Sequence, residues 1–353
     1  MKKTSEKKTA SSGITLSGLT VVGVSHDLTS VTIPKGVTKI GTSAFEGCSK
    51  LTSVMIPDGV SEIEWDAFNG CKALESVVIP DTTKIIRSGA FMGCSSLKRI
   101  TIPAGVKKIE DRAFAECIDL CEFEVDKRNR KFKTVDGFLL EKDAEIRDCS
   151  GNRRAGYTTL VAAPGGLKSA IVPDCVTHID FGAFYGCCKL KNVTIPASVT
   201  CIDFEAFRGC TALEDMTIPD SVTELGGGAF KECRKLKNVT IPASIKKVGT
   251  SPFARSSIEN VTFLPGVKSI HDGMFYRCDI KSVTMPDSIT SIGKSAFRSA
   301  SKLENVTIPR KVSKIGDYAF YCRDLKTVTM PARLKSKGVG RDAFPQGVKI
   351  TWY

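Results

Sequence analysis

The sequence predicts a β-rich solenoid of about thirteen coils with a period of 22–23 residues, and three observations carry that prediction. Prolines following a Val-x-Ile type triplet fall at Pro34, Pro57, Pro80 and Pro103, and again at Pro173, Pro196, Pro219 and Pro242, each run at intervals of 23. A leading aliphatic recurs in step with them, at Leu28, Leu51, Leu74, Leu97, Leu120, Leu167, Leu190, Leu213, Leu236, Ile258, Ile280, Leu303 and Leu325. Aromatics are only 7% of the chain while Gly, Val, Ile, Thr and Lys abound, which suits short strands and tight turns better than a large aromatic core. The length of 353 residues would allow two or three globular domains, so periodicity decides for a long repeat array. The 47 residues from Leu120 to Leu167 equal two repeats plus one, with Asp126 where a proline would stand, so the array runs through its irregular region.

One coil can be read from Leu51 to Ala73. Val54 and Ile56 alternate with Met55, the two-residue period of a strand with one buried face. Pro57 ends the strand, because it has no N–H for the ladder and fixes its own φ. Val60 and Ile63 return to the interior, Ala67-Phe68 brings a large side chain from the far wall, and Cys71 closes the turn. A single coil cannot bury these groups, whereas stacked coils cover one another and share one core.

The recurring Leu-x-x-Val-x-Ile-Pro-x-x-Val-x-x-Ile-x-x-x-Ala-Phe-x-x-Cys resembles the BspA-type leucine-rich repeat of bacterial surface proteins and some parasitic protists, and spans Leu28 to Leu325. Gly36, Gly59 and Gly105 occupy the turn offset where the general leucine-rich pattern has Asn or Cys, which places the chain with the variant. The resemblance implies a leucine-rich repeat solenoid that binds proteins or glycans, often in adhesion, and supplies no catalytic residue. The chain then divides into a flexible basic arm (1–10), an N-terminal cap (11–27), regular repeats (28–126), an irregular insert (127–166), regular repeats (167–330) and a C-terminal cap (331–353). The insert reads as a hairpin-like excursion around Val135 to Asp143 followed by a polar loop through Asn152, Arg153 and Arg154. In the last segment Leu334 to Lys337 loses the apolar spacing, and Val348 to Tyr353 reads as a capping strand.

Fourteen cysteines would ordinarily raise a disulfide or zinc framework. Cys48, Cys71, Cys94, Cys117, Cys187, Cys210, Cys233 and Cys278, however, each lie three residues after a repeat Phe, so their spacing is the repeat itself. They read as a structural ladder of buried thiols acting as small apolar groups, with Ser256 and Ala300 in the same slot of other coils. Of three histidines, His178 stands between the inward Val176 and Ile179 at a position expected to face solvent. No nucleophile elbow, phosphate loop or zinc-protease motif occurs, and Asp203 and Glu205 read as wall residues, so the expectation is a non-enzyme without metal or cofactor.

The outward strand position is nearly uniform. Thr194, Thr217, Thr240, Thr262, Thr284, Thr307 and Thr329 form a flat polar stripe on the expected concave face, with Met55 and Val78 as exceptions earlier in the array. Thr suits an exposed strand in its own right, and the same row can also serve as a hydrogen-bonding platform for a partner protein or glycan. The residue after each leading aliphatic alternates in sign through Lys191, Glu214, Lys237, Glu259, Lys281, Glu304 and Lys326, which favours correct stacking of neighbouring coils. Residues 231–353 hold twenty-three basic against nine acidic groups, so anionic polymers (acidic glycan, cell-wall polymer or nucleic acid) are the alternative partners, with Lys246, Lys247, Arg310 and Lys311 as the candidate contacts.

No apolar run is long enough to span a bilayer, no signal peptide is read at the basic N-terminus, and a monomer is expected. The resemblance points to a cell surface. The lack of a signal peptide and the many reduced thiols point to the cytoplasm, and Asn-x-Thr sequons at Asn192, Asn238, Asn260 and Asn305 on strand starts argue against a eukaryotic secretory route.

Overall fold

The computed structural model describes residues 7–9, 13–147 and 153–353. The chain is a β-solenoid leucine-rich repeat array of about fourteen turns, without an α-helix among the described residues. It forms two compact units, Met1–Glu145, Ala155–Leu167 and Asp180–Lys189 in the first, and Ile146–Arg154, Lys168–Ile179 and Leu190–Tyr353 in the second.

Each coil has three sides. The Val-x-Ile segment makes the first strand, as in Ser53–Met55, where only Val54 is buried. Proline stops it, and after a corner a two-residue second strand follows, Glu62–Ile63 in this coil. The third side carries the Ala-Phe pair in a string of turns, yet it too is laddered to its neighbour: the Phe45 N–H donates to the Ala67 carbonyl at 2.7 Å and Phe68 to Ala90 at 2.8 Å. In the first unit Val31, Val54 and Val77 lie opposite one another on the first side, and Ile40, Ile63, Ile86 and Ile109 on the second. Identical positions therefore stack on identical positions, and the core is built from columns rather than layers.

The third side turns sharply because two residues per coil adopt left-handed backbone angles, one just before the Ala-Phe pair and one just after it. Ser43 and Asp66 (φ 54° each) fill the first position, and Gly47 and Gly70 (φ 72° and 71°) the second. Between them the phenylalanines point inward and stack. Ring centroids are 4.7, 5.3 and 5.7 Å apart from Phe45 through Phe68 and Phe91 to Phe114. In the second unit the column runs unbroken from Phe207 through Phe230, Phe253, Phe275, Phe297 and Phe320 to Phe344 at 5.0–5.7 Å, with interplanar angles of 11° or less.

Beside it runs the cysteine ladder. All eight thiols named from the spacing are buried. A second reason for the residue type emerges: the Cys71, Cys94 and Cys117 thiols donate to the carbonyls of Phe45, Phe68 and Phe91 in the preceding coil, and Cys233 and Cys278 do the same to Phe207 and Phe253. The Ser256 hydroxyl makes the equivalent bond to Phe230 at 2.6 Å, so Ser replaces Cys as a donor as well as in size. Cys322, which lies two residues after its Phe and escapes the spacing rule, is a further rung on Phe297.

The first unit begins with an antiparallel trio, Lys7–Thr9, Ile14–Ser17 and Thr20–Val24, whose last member pairs in parallel with Lys39–Ile40. Lys7–Thr9 is thus a strand within the stretch expected to be a flexible arm. In the insert Phe132–Val135 pairs with the start of Phe138–Arg147 through a two-residue turn, Asp136 and Gly137, both left-handed (φ 51° and 79°) as a tight hairpin of this twist requires. Of the polar loop expected there, Arg153 and Arg154 belong to the strand Arg153–Ala162, and Asn152 lies outside the described residues. At the other end Lys349–Trp352 pairs in register with Thr327–Met330, and Phe344 stacks on Phe320. Residues 331–353 are therefore built as one more coil, entered through a short 3-10 helix at Ala332–Lys335.

His178 departs from expectation. It is fully buried, with Nε2 3.3 Å from an Asp203 carboxylate oxygen. It opens the second strand of its coil, in register with Cys201 and Glu224, which are also buried. Side chains from the adjacent coil close over this position, a cover that the spacing within one coil does not reveal.

Candidate binding faces

The two outer strand sides of a coil present different chemistry, and in the second unit each is laid out in short parallel ladders that follow one another along the stack. On the first side Thr240, Thr262 and Thr284 stand opposite one another, as do Thr307, Thr329 and Thr351. Thr194, Thr217, Thr240, Thr284 and Thr307 are exposed, Thr262 and Thr329 half-buried, and Thr351 extends the row named from the sequence. A second polar column runs beside it. The Asn260 side-chain amide donates to Asn238 at 2.9 Å, the Ser282 hydroxyl to Asn260 at 2.7 Å, and Thr327 to Asn305. These ladder bonds hold the amides in fixed orientations, so the face is both polar and stiff.

In the first unit the equivalent row includes Thr32, Met55, Val78, Thr101 and Glu124, with Met55 64% and Val78 73% exposed, and in the second unit Ile171, 74% exposed, precedes Thr194, so the run of threonines belongs to the coils from Thr194 onward.

The charge column acts where its members meet. Lys237 and Lys281 lie 2.9 and 2.6 Å from Glu259, and Lys326 lies 2.9 Å from Glu304. Hydrogen bonds from Lys281 and then Lys237 bring the Glu259 carboxyl down to about 2. Salt bridges at this position tie three successive coils, which is the stacking role read from the alternation.

The second strand side separates the two units more sharply. In the first unit it is filled by an ionic chain: Lys39 to Glu62 at 2.8 Å, Glu62 to Arg87 at 2.6 Å, Arg87 to Glu110 at 2.8 Å and Glu110 to Lys108 at 2.6 Å. Arg87 also lies over the Trp65 ring at 4.7 Å. Burial would push the Glu62 carboxyl up, but hydrogen bonds from Lys39 and Arg87 outweigh it and hold the pKa below the ordinary value. In the second unit the positions matching Glu64, Arg87 and Glu110 are largely glycine, at Gly226, Gly249, Gly293, Gly316 and Gly340. A Cβ on Gly249 would stand 2.2 Å from the Gly227 nitrogen, and one on Gly316 2.5 Å from that of Lys294. His271 is the one side chain in this column from Gly249 to Gly340, and an open groove of about 830 Å³ runs along it from Val248 to Gly340. Its walls carry Ser269, Ser291, His271, Lys294 and Lys314. The two serine hydroxyls lie 2.9 Å apart, and burial lowers the His271 pKa, favouring the neutral ring.

The four cations expected to receive an anionic polymer do not share one position. Lys247 opens a second strand with Lys246 just before it, whereas Arg310 and Lys311 sit at the corner after Pro309, three coils on. Lys246, Arg310 and Lys311 are exposed, and Lys247 is half-buried with Nζ 3.2 Å from Glu224.

Among the described residues no helix is long and apolar enough to cross a membrane. Two strand faces carried on a rigid stack define a repeat module for binding. The chain belongs to the BspA type leucine rich repeat region family, whose pattern matches in six copies over residues 24–135, 165–278 and 249–351. Among solved structures it is similar to a leucine-rich repeat protein from Bacteroides ovatus, at 28% identity over 99% of this chain and 98% of the other, with a TM-score of 0.61. A leucine-rich repeat protein from Eubacterium ventriosum has 23% identity over 91% and 86% of the two chains and a TM-score of 0.67. The pneumococcal vaccine antigen PcpA has 20% identity over 92% and 79% and a TM-score of 0.58; these two likenesses show the fold. No curated protein matches the chain.

Proposed function

We propose that the chain is a non-catalytic docking module that holds a partner protein, in an adhesive contact, against the first-strand face of its second unit. The observation that carries this reading is the pair of in-register threonine runs, Thr240–Thr262–Thr284 and Thr307–Thr329–Thr351, beside the hydrogen-bonded Asn238–Asn260–Ser282 column. Side chains already fixed by neighbours lose little rotamer freedom on contact, so a pre-ordered flat surface binds at low entropic cost. Membership of a repeat family that serves as a binding scaffold supports the same reading. A partner identified by pull-down and mass spectrometry should bind the purified chain at moderate salt. Thr217→Lys, Thr240→Lys and Thr262→Lys together should abolish that binding without changing the melting temperature, because bulky charges would break a flat contact. Undiminished binding by the triple variant would remove this face from consideration.

A further inference from the structure

One surface of the second unit carries cations that no carboxylate among the described residues neutralises. Arg277 lies over the Tyr276 ring at 5.2 Å, and Tyr318 receives the Arg298 guanidinium at 5.0 Å from the coil before it and that of Arg341 at 5.6 Å from the coil after it. All three arginines are exposed, and among the described residues none has a carboxylate within 4.0 Å. The first unit provides the contrast. Arg87 is likewise held on an aromatic ring, but Glu62 and Glu110 take its charge. An arginine stacked on tyrosine keeps its planar fork of N–H donors pointing outward in a fixed plane, which is the arrangement that receives a sulfate, phosphate or carboxylate in two hydrogen bonds.

This ridge borders the groove. Asp317, which lines the groove, precedes Tyr318 in the chain and accepts the Arg341 backbone N–H at 2.8 Å. Lys294, on the same wall, lies in the coil of Arg298, and Lys294 and Lys314 are also exposed and without a carboxylate partner among the described residues. Lys294 and Lys314 share the trough with Asp272 and Asp317, whose carboxylates accept the Lys294 and Arg341 backbone N–H groups at 2.7 and 2.8 Å, while serine hydroxyls, aliphatic side chains and glycine backbone line much of the remainder, so the free positive charge sits on the arginine ridge at its border. A linear polymer with repeating anionic groups and many hydroxyls fits both parts. Nucleic acid fits less well: the rings of Tyr276 and Tyr318 already carry guanidiniums, and the groove lining has no Phe, Tyr or Trp on which bases would stack.

We propose that Arg277, Arg298 and Arg341, ordered by Tyr276 and Tyr318 and continued by Lys294 and Lys314, form a binding site for a linear sulfated polysaccharide. The site is separate from the threonine face and stands or falls independently of it.

The test uses the full chain and three probes: heparin, desulfated heparin, and a single-stranded DNA oligonucleotide of matched charge. Heparin should bind, with affinity falling as salt rises, and desulfated heparin should bind far more weakly. Arg277→Gln, Arg298→Gln and Arg341→Gln together should weaken heparin binding by at least about tenfold, a loss of about 1.4 kcal/mol. The matching Lys variant at the same three positions keeps the charge and should also lose affinity, since an ammonium neither stacks nor forks as guanidinium does. A control removing the same charge elsewhere, Lys246→Gln, Arg310→Gln and Lys311→Gln, should change binding by less than about twofold if the ridge is the site. Equal losses in the two Gln triples would reduce the effect to net charge and overturn the proposal. So would DNA binding as tight as heparin binding, or the absence of heparin binding. A melting curve for each variant separates a lost contact from a lost fold.

Discussion

Phe230 offers the most direct test of whether stacked columns hold the solenoid together. It is fully buried, and its ring lies between Phe207 at 5.0 Å and Phe253 at 5.4 Å, near-parallel to both. Phe230→Ala removes one ring and leaves a cavity bounded by two more. Burial and cavity terms for such a change come to about 3–5 kcal/mol, and the two ring pairs place it toward the upper part of that range. Phe344 is the control. It is half-buried and has a single stacking neighbour, Phe320 at 5.7 Å, so Phe344→Ala should cost about half as much. Urea unfolding followed by far-ultraviolet circular dichroism gives both numbers, and the slope of each transition shows whether the cooperative unit has shortened. Equal losses at the two positions, or a loss below about 1 kcal/mol at Phe230, would refute the columnar account of the core.

Four further outcomes follow from the same geometry. Burial raises the thiol pKa to about 12 for Cys71, Cys117, Cys187, Cys278 and Cys322, against 9.0 in the ordinary state. Their stabilising share is complete below pH 9 and is lost as pH rises toward 12, by about 1.4 kcal/mol per thiol per pH unit, so the melting temperature should drop steeply above pH 9 and less steeply in Cys278→Ser. Native alkylation should at the same time mark the exposed Cys121 and Cys175 ahead of the buried rungs, as mass spectrometry would show. Glu259, lowered from 4.5 to about 2 by Lys281 and Lys237, stabilises the fold above pH 4.5 and loses that contribution as pH falls toward 2; Glu259→Gln should flatten the melting temperature across this window. Gly249→Ala places a methyl against backbone 2.2 Å away and should cost roughly 1–3 kcal/mol by thermal denaturation, whereas Gly23→Ala, with open space around it and no left-handed backbone, escapes the clash.

What the sequence displayed and what it concealed divide along the period. Features that repeat within one coil were legible: the Val-x-Ile strand, the inward Phe, the thiol column and the outward threonines all recur at fixed offsets. Two-residue strands such as Glu62–Ile63 are too short to show alternation, so the second side was seen only as a return of apolar residues to the interior. The burial of His178 was missed because its cover includes Asp203, a residue of the next coil. The stacked arginines escaped for the same reason: Arg298, Tyr318 and Arg341 come from three coils, and no local motif joins them. The groove did leave a trace, since Gly226, Gly249, Gly293, Gly316 and Gly340 recur near the period, but a glycine column reads as turn chemistry until the backbone spacing is known.

The left-handed corners beside the Phe column set the terms on which this solenoid can acquire new surface chemistry. After each phenylalanine pair the corner is glycine at Gly47, Gly70, Gly93 and Gly209, but glutamate at Glu232 and arginine at Arg255 and Arg277. Any side chain there costs on the order of 1 kcal/mol in backbone conformation relative to glycine. At Arg255 and Arg277 that side chain is exposed, whereas at Glu232 it is half-buried. Each corner is thus an exchange of stability for a contact, and neighbouring corners can share it, as Glu232 and Arg255 do at 3.7 Å. Arg277→Gly would reverse one such exchange: a more stable rod, with one fewer guanidinium on its ridge.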